Sequence, residues 1–132
     1  GIDSPTTFAM GDLVEGVVFS TAGFATEGSP LAAFNAKYTE KTGAEPNTVY
    51  IANGYDLGTV IEAAVTKADS LDPKAIRDAI AGLENVEGVT GKITYAGTAG
   101  MPLRSVALVR IVGGNRELVT QGVPELADIP AP

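Results

Sequence analysis

The chain has 132 residues, of which 45% are hydrophobic and 19% charged, a balance that excludes a disordered chain and predicts one domain with a buried core. Its net charge of -7 and its nine scattered basic residues argue against binding to nucleic acid or anionic lipid, and the simplest interpretation of the acidic surface is solubility. Because the sequence contains no His and no Cys, this chain alone cannot form a Ser-His-Asp triad, a His-based zinc site or a disulfide.

The first 28 residues predict a loop, a strand and a second loop. Gly, Asp, Ser and Pro cluster in residues 1–11, a composition typical of loops. Residues 14–19 are mostly β-branched or aromatic and predict a short strand. Residues 20–28 are small and Gly-rich, so they are interpreted as a connection.

Two of three predicted helices begin with the same signal, a capping residue followed by Pro. This pair is Ser-Pro at residues 29–30 and Asp-Pro at residues 72–73. Apolar residues then recur at helical spacing, and Gly43 and Gly82 are natural stops. The sequence therefore predicts one helix from residue 30 to Gly43 and another from residue 73 to Gly82.

The longest predicted helix lies between these two and runs from Asn47 or Thr48 to about Ala68. Gly54 is unusual in its first turns, since Gly in a helix interior costs about 1 kcal/mol relative to Ala. Either Gly54 permits close packing, or the first turns line a ligand cleft. The side chain of Tyr50 belongs to that first turn, where side chains and free N–H groups can face a ligand.

The last third of the sequence changes to the alternating pattern of strands. Residues 91–95 and 105–112 are predicted strands, and Gly-Gly-Asn at 113–115 predicts a hairpin turn into a returning strand at 117–119. The tail, residues 122–132, contains three prolines and is expected to be extended at a sheet edge. A lone strand before three helices does not complete a βαβ domain, which suggests that further strands lie elsewhere.

The sequence gives little evidence for catalytic groups. No phosphate-binding loop is present. The acidic pairs Asp12 with Glu15 and Asp69 with Asp72 are better explained by a solvated loop and by helix capping, and Lys92 by a solvated strand face. A small hydrolase using carboxylate chemistry remains a weak alternative, and we expect no enzyme activity, no cofactor and no metal.

Five stretches of the sequence follow one another in one continuous register. The first is the opening Gly-Ile-Asp-Ser-Pro-Thr-Thr-Phe, with Gly-Asp-Leu-Val-Glu-Gly-Val-Val-Phe-Ser-Thr after it, and the others lie at residues 50–56, 72–80, 87–102 and 105–119. Together they resemble periplasmic branched-chain amino-acid-binding proteins, a family of type I solute-binding proteins. The opening resembles that family's segment following its central acidic residue. The stretches at residues 50–56, 72–80, 87–102 and 105–119 resemble its later helices, strand-and-turn and final hairpin, although Ala96 stands where the family's turn usually has Asp.

The resemblance implies an α/β fold of two Rossmann-like lobes, of which this chain would be the carboxy-terminal part and incomplete on its own. Residues 1–21 would end the second lobe, residues 22–101 would be a first-lobe segment with three helices, and residues 102–132 would return to the second lobe. The crossings between lobes would lie near residues 21–23 and 101–105.

The resemblance also implies a function: capture of an amino acid or similar small carboxylate between the lobes for an ABC permease. Tyr50 is the one ligand-contact position that carries over, and an aromatic ring there could cover a ligand cation or aliphatic tail. Asp3 is interpreted as a loop-capping residue, with ligand contact as the alternative. A sensory ligand-binding module of the same fold is the alternative.

The resemblance implies a periplasmic or extracellular protein, with a lipid anchor as one means of attachment in the full-length form. The chain begins at Gly1 without a signal peptide, and its opening is typical of mid-sequence, so we expect part of a longer protein. Open sheet edges and uncovered apolar faces would then favour a homodimer or a complex with the amino-terminal half.

Overall fold

The computed structural model describes residues 2–125 and 127. A short 3₁₀ helix, Gly11–Val14, precedes the first strand. The helices are α1 Pro5–Phe8, α2 Pro30–Thr42, α3 Tyr50–Ala68 and α4 Pro73–Ala81. The strands are β1 Val18–Thr21, β2 Val86–Gly88, β3 Gly91–Thr94, β4 Leu103–Arg104, β5 Val106–Val112 and β6 Asn115–Gly122.

The strands form two antiparallel sheets, each of three strands. Sheet A has the order β1-β5-β6 and joins the two ends of the described chain, since Val18 pairs with Arg110 and Thr21 with Ala107. Sheet B has the order β2-β3-β4 and comes from one continuous stretch. The helices α2, α3 and α4 and all of sheet B therefore lie in sequence between β1 and β5.

The two helices with Ser-Pro and Asp-Pro starts are confirmed. The hydroxyl of Ser29 accepts a hydrogen bond from the N–H of Ala32 at 3.2 Å, and the carboxylate of Asp72 accepts one from the N–H of Ala75 at 2.9 Å. Gly43 ends α2 in the left-handed conformation, with φ 74°. Local capping chemistry alone sets these boundaries, which is why the sequence predicts them well.

The central helix begins at Tyr50, two or three residues later than predicted, and Val49 precedes it without a side-chain cap. A β-carbon at Gly54 would meet no atom within 4 Å, so the interpretation that Gly54 permits close packing is wrong. The neighbouring residue, Asn53, instead accepts a hydrogen bond from Arg104.

The start of the chain differs from the prediction. Residues 14–19 are not one strand, because the 3₁₀ helix ends at Val14 and β1 begins only at Val18. Gly16, with φ 77°, turns the chain between them. The predicted loop at residues 1–11 contains α1, which the hydroxyl of Ser4 caps by accepting from the N–H of Thr7 at 3.3 Å.

At the other end, β5 and the hairpin turn are confirmed, and the returning strand is longer than predicted. The short strands β2 and β4 were not predicted. The tail leaves β6 after Gly122, and its residues 126 and 128–132 lie outside the described part of the chain.

Three apolar clusters hold these elements together. The first lies on one face of sheet A (Val14, Phe19, Ala107, Val109, Ile111). The second joins α3, α4 and sheet B (Val60, Ala64, Ala79, Leu83, Ile93). The third packs the start of α3 against the start of α2 (Leu31, Val49, Ala52). Because Tyr50 lies between two of these residues, this packing also fixes its position. Between residues 2 and 125, no helix has the length and apolarity that crossing a membrane requires.

Candidate functional site

The chain passes from one sheet to the other at two adjacent points, after β1 and before β5. A cavity of about 270 Å³ opens there, which we call the crossing cavity. It is lined by Ile2, Asp3, Ser20, Thr21, Ala22, Val49, Tyr50, Arg104, Ser105 and Val106. Its walls therefore come from the start of the chain, the end of β1, the start of α3 and the segment where β4 leads into β5.

Tyr50 lies in the wall of this cavity as the first residue of α3. Its neighbours Val49 and Ala52 are buried in the third cluster, so the helix start is fixed while the Tyr50 side chain remains 59% exposed. An exposed aromatic ring on a fixed backbone can cover part of a small molecule with little loss of side-chain entropy.

Asp3 also lines the cavity, but its carboxylate already has protein partners. The hydroxyl of Thr21 donates to Oδ2 at 2.6 Å, and Nη1 of Arg116 donates to Oδ1 at 3.0 Å. The side chain is only 5% exposed. The expected loop-capping role is wrong, since both partners are distant in sequence and Ser4 is the residue that caps α1. Asp3 instead ties the start of the chain to β1 and β6.

A polar network that was not predicted from the sequence begins at Arg104 in the cavity wall. Nη2 of Arg104 donates to Oδ1 of Asn53 at 2.9 Å and to Oγ1 of Thr90 at 2.6 Å. The Thr90 hydroxyl donates in turn to Oδ2 of the buried Asp56. The sequence did contain one signal for this network: Asp56 lies among the buried positions of the apolar helix α3. Buried charges are nearly always paired or hydrogen-bonded, so a partner for Asp56 was to be expected.

Asp56 has its own set of donors. Its Oδ1 accepts from the N–H of Val89 at 2.6 Å, and its Oδ2 accepts from the N–H of Thr90 at 3.2 Å as well as from the Thr90 hydroxyl. The β2–β3 turn is therefore bound to the middle of α3. Through Thr90, this turn also positions the guanidinium of Arg104.

The other candidates from the sequence do not line the crossing cavity. Glu15 accepts from the N–H of Gly113 at 2.9 Å, Asp72 caps α4, and Lys92 forms an exposed pair with Glu87 at 3.4 Å. Asp69 ends α3 in the left-handed conformation. Across residues 2–125, no cluster of three or more acidic side chains is arranged to hold a metal ion.

A second cavity of about 290 Å³ lies beside the crossing cavity and shares Val49 with it. Its walls include Phe24, Leu31, Asn35 and Arg116. The guanidinium of Arg116 is already bound to Asp3 and lies 5.6 Å from the ring centroid of Phe8. The crossing cavity is thus the better candidate, because it combines an exposed aromatic ring with a cation whose donors are only partly used.

In a comparison with known families, residues 1–116 match the model described as periplasmic binding protein. The chain belongs to the periplasmic binding protein family. This confirms the family resemblance of the sequence motifs. A search of curated proteins gave no match.

Solved structures of periplasmic binding proteins share this fold. A leucine-binding protein from Thermotoga maritima is 28% identical, with a TM-score of 0.78 over 92% of this chain and 35% of its own. A putative branched-chain amino-acid ABC transporter from Rhodospirillum rubrum is 27% identical, with a TM-score of 0.69 over 88% of this chain and 34% of its own.

A third structure, from Brucella ovis, shows the fold alone. This leucine-, isoleucine-, valine-, threonine- and alanine-binding protein is 18% identical, with a TM-score of 0.75 over 92% of this chain and 35% of its own. The chain therefore spans about a third of the length of the structures it matches and forms a part of the type I fold, as expected.

Proposed function

We propose that this chain is the carboxy-terminal part of a solute-binding protein that captures an amino acid or similar small carboxylate for an ABC transporter in the periplasm or outside the cell. The observation that carries the proposal is the crossing cavity, which lies where the two sheets meet and is walled by Tyr50. The activity would consist of binding and release without covalent chemistry.

The proposed mechanism is closure of two lobes over the solute. One lobe would contain residues 1–21 and 102–132, and the other would contain residues 22–101. Strand pairing supports most of this division, since β1, β5 and β6 form sheet A whereas α3 and α4 pack on sheet B. Pairing of β4 with β3 continues sheet B to Arg104, so the second crossing would lie close to Ser105.

Tyr50 would contribute its ring to the ligand, over either an ammonium group or an aliphatic tail. The test is calorimetric titration of the full-length protein with a panel of amino acids and small carboxylates. We expect Tyr50→Ala to weaken binding by about tenfold or more, and Tyr50→Phe to retain most of it, because the ring makes the contact.

Tyr55→Ala is the matched control. Tyr55 is an exposed tyrosine on the same helix, but it contacts Phe34 at 5.3 Å between ring centroids and does not line the crossing cavity. Equal losses in Tyr50→Ala and Tyr55→Ala would contradict the assigned role of Tyr50. Failure of the unaltered protein to bind any member of the panel would refute the proposed function itself.

Two exposed apolar faces bear on the proposed assembly. Leu57 and Ile61 are exposed on α3, and Val18, Val106 and Leu108 are exposed on sheet A. We propose that the rest of the two-lobe fold covers them, or a second copy when this chain is alone. Native mass spectrometry of the 132-residue chain should therefore show a homodimer or a complex with an amino-terminal fragment, and a stable monomer would contradict this.

A further inference from the structure

The guanidinium of Arg104 lines the crossing cavity with part of its hydrogen-bonding capacity unused. Both of its protein hydrogen bonds come from Nη2, to Asn53 and Thr90. Nε is buried and has no partner. An arginine carries N–H groups on all three nitrogens. Because Nε is buried, a molecule in the cavity cannot reach it. Among the described residues no hydrogen bond uses Nη1, so Nη1 is the nitrogen left to donate to a molecule in the cavity.

The charge of Arg104 is not neutralised by direct contact. Within residues 2–125, the ion pairs involve Lys74, Arg77, Lys92 and Arg116 but not Arg104. Asp3, the one carboxylate in the cavity wall, is bound by Arg116 and Thr21. Asp56 reaches Arg104 only through the Thr90 hydroxyl. The cavity thus presents a cation on a chain whose net charge is -7.

The same two hydrogen bonds hold the guanidinium in place. Asn53 belongs to the first turns of α3, and Thr90 is fixed by Asp56. A guanidinium fixed in this way loses little entropy when it binds a carboxylate, and its Nη1 can donate a charge-assisted hydrogen bond to one carboxylate oxygen. On the same cavity, Tyr50 offers an apolar surface for the rest of the molecule.

We propose that Arg104 binds a carboxylate of the solute, so the crossing cavity selects anionic small molecules. This inference rests on the proposed solute-binding function. It adds the residue that recognises the solute, Arg104, and the chemical group that this residue recognises, a carboxylate. The carboxylate is either the α-carboxylate of an amino acid or a second carboxylate on its side chain.

The experiment measures dissociation constants of the full-length protein for two pairs of nearly isosteric solutes. Glutamate and glutamine differ in the side-chain carboxylate, and leucine and leucinamide differ in the α-carboxylate. The variants are Arg104→Gln and Arg104→Lys. Arg110→Gln is the matched control, because it makes the same charge change at an exposed position of β5 outside the cavity.

We expect the acidic member of at least one pair to bind about ten- to a hundredfold tighter, the usual range for a charged hydrogen-bond partner. Arg104→Gln should remove that preference, Arg104→Lys should keep part of it, and Arg110→Gln should leave it unchanged. If Arg104→Gln loses only the preference for glutamate over glutamine, Arg104 binds a side-chain carboxylate. If it loses the preference for leucine over leucinamide, Arg104 binds the α-carboxylate.

The inference fails if solutes bind but neither pair shows a preference in the unaltered protein, a result that needs no folded variant. It also fails if Arg104→Gln changes the preference no more than Arg110→Gln does. If the unaltered protein binds none of the four solutes or any other small carboxylate, the proposed function fails first and the inference falls with it.

Discussion

The two sheets of the molecule differ in how their strands are brought together. Sheet A pairs β1 with a strand that begins 85 residues after Thr21, so it forms only when distant parts of the chain meet. Sheet B comes from residues 86–104 and is covered by the adjacent helices α3 and α4. Sheet A thus depends on non-local contacts, whereas local signals and short turns build most of sheet B.

The difference between the sheets explains how the crossing cavity forms. A cavity can form at the crossings because the segment that contains sheet B leaves sheet A and returns to it at neighbouring points, Thr21 and Ala107. Neither sheet provides the crossing cavity alone. The roles of sheet A and sheet B can be tested with variants that destabilise one sheet and leave the other unchanged.

The largest expected effect is in sheet A. Ile111 is fully buried in the first cluster, so Ile111→Ala should lower the free energy of unfolding by about 2–5 kcal/mol. Leu108→Ala is the comparison on the opposite face of the same strand, where this chain leaves Leu108 39% exposed, and it should lower the free energy of unfolding by less than Ile111→Ala does. Urea unfolding measures both changes. Similar losses would show that the two faces of sheet A are equally buried.

The next effect is in sheet B. A β-carbon at Gly88 would lie 2.7 Å from Oδ1 of Asp56, which hydrogen bonds from Val89 and Thr90 hold in place. Gly88→Ala should therefore destabilise the protein by about 1–3 kcal/mol. Gly54→Ala meets open space within α3 and should stabilise it by about 0.5–1 kcal/mol. Thermal unfolding measures both changes. Midpoint temperatures that shifted in the same direction for the two variants would contradict this prediction.

The smallest effect is on the surface of the helix layer over sheet B. Hydrogen bonds from Arg77, and then from Lys74, lower the pKa of Asp78 below its ordinary value of 3.8. The folded state therefore gains stability from this carboxylate above pH 3.8 and loses that gain as the pH falls through the lowered pKa. Because Asp78 is exposed, the change in stability should be small.

NMR titration of the Asp78 carboxyl measures this directly. Arg77→Ala should return its pKa toward 3.8 more than Lys74→Ala does, since the Arg77 hydrogen bond is the larger cause. A pKa that stays lowered in Arg77→Ala would contradict the assignment.

The sequence predicted the elements that local chemistry controls. Ser29, Asp72 and Gly43 set helix ends by contacts within a few residues, so α2 and α4 were predicted almost to the residue. The start of α3 was missed by a few residues because Val49 provides no side-chain cap and packing against α2 fixes that end.

The site was predictable only in part. The sequence placed Tyr50 at a helix start, and the structure puts it in the cavity wall, whereas Arg104 had no local signal. Its partners Asn53 and Thr90 lie 51 and 14 residues away, and only the fold brings them together. Asp3 was misinterpreted for the same reason, because its partner Arg116 is 113 residues away.

The pairing of Thr21 with Ala107 has a consequence for how this protein can be rebuilt. Since the two residues are neighbours on adjacent strands, the segment between them begins and ends at nearly the same place. The segment is therefore an insertion between the adjacent antiparallel strands β1 and β5. Insertions whose two ends lie close together are tolerated well by the surrounding domain. A related segment could be exchanged here while β1, β5 and β6 keep their register.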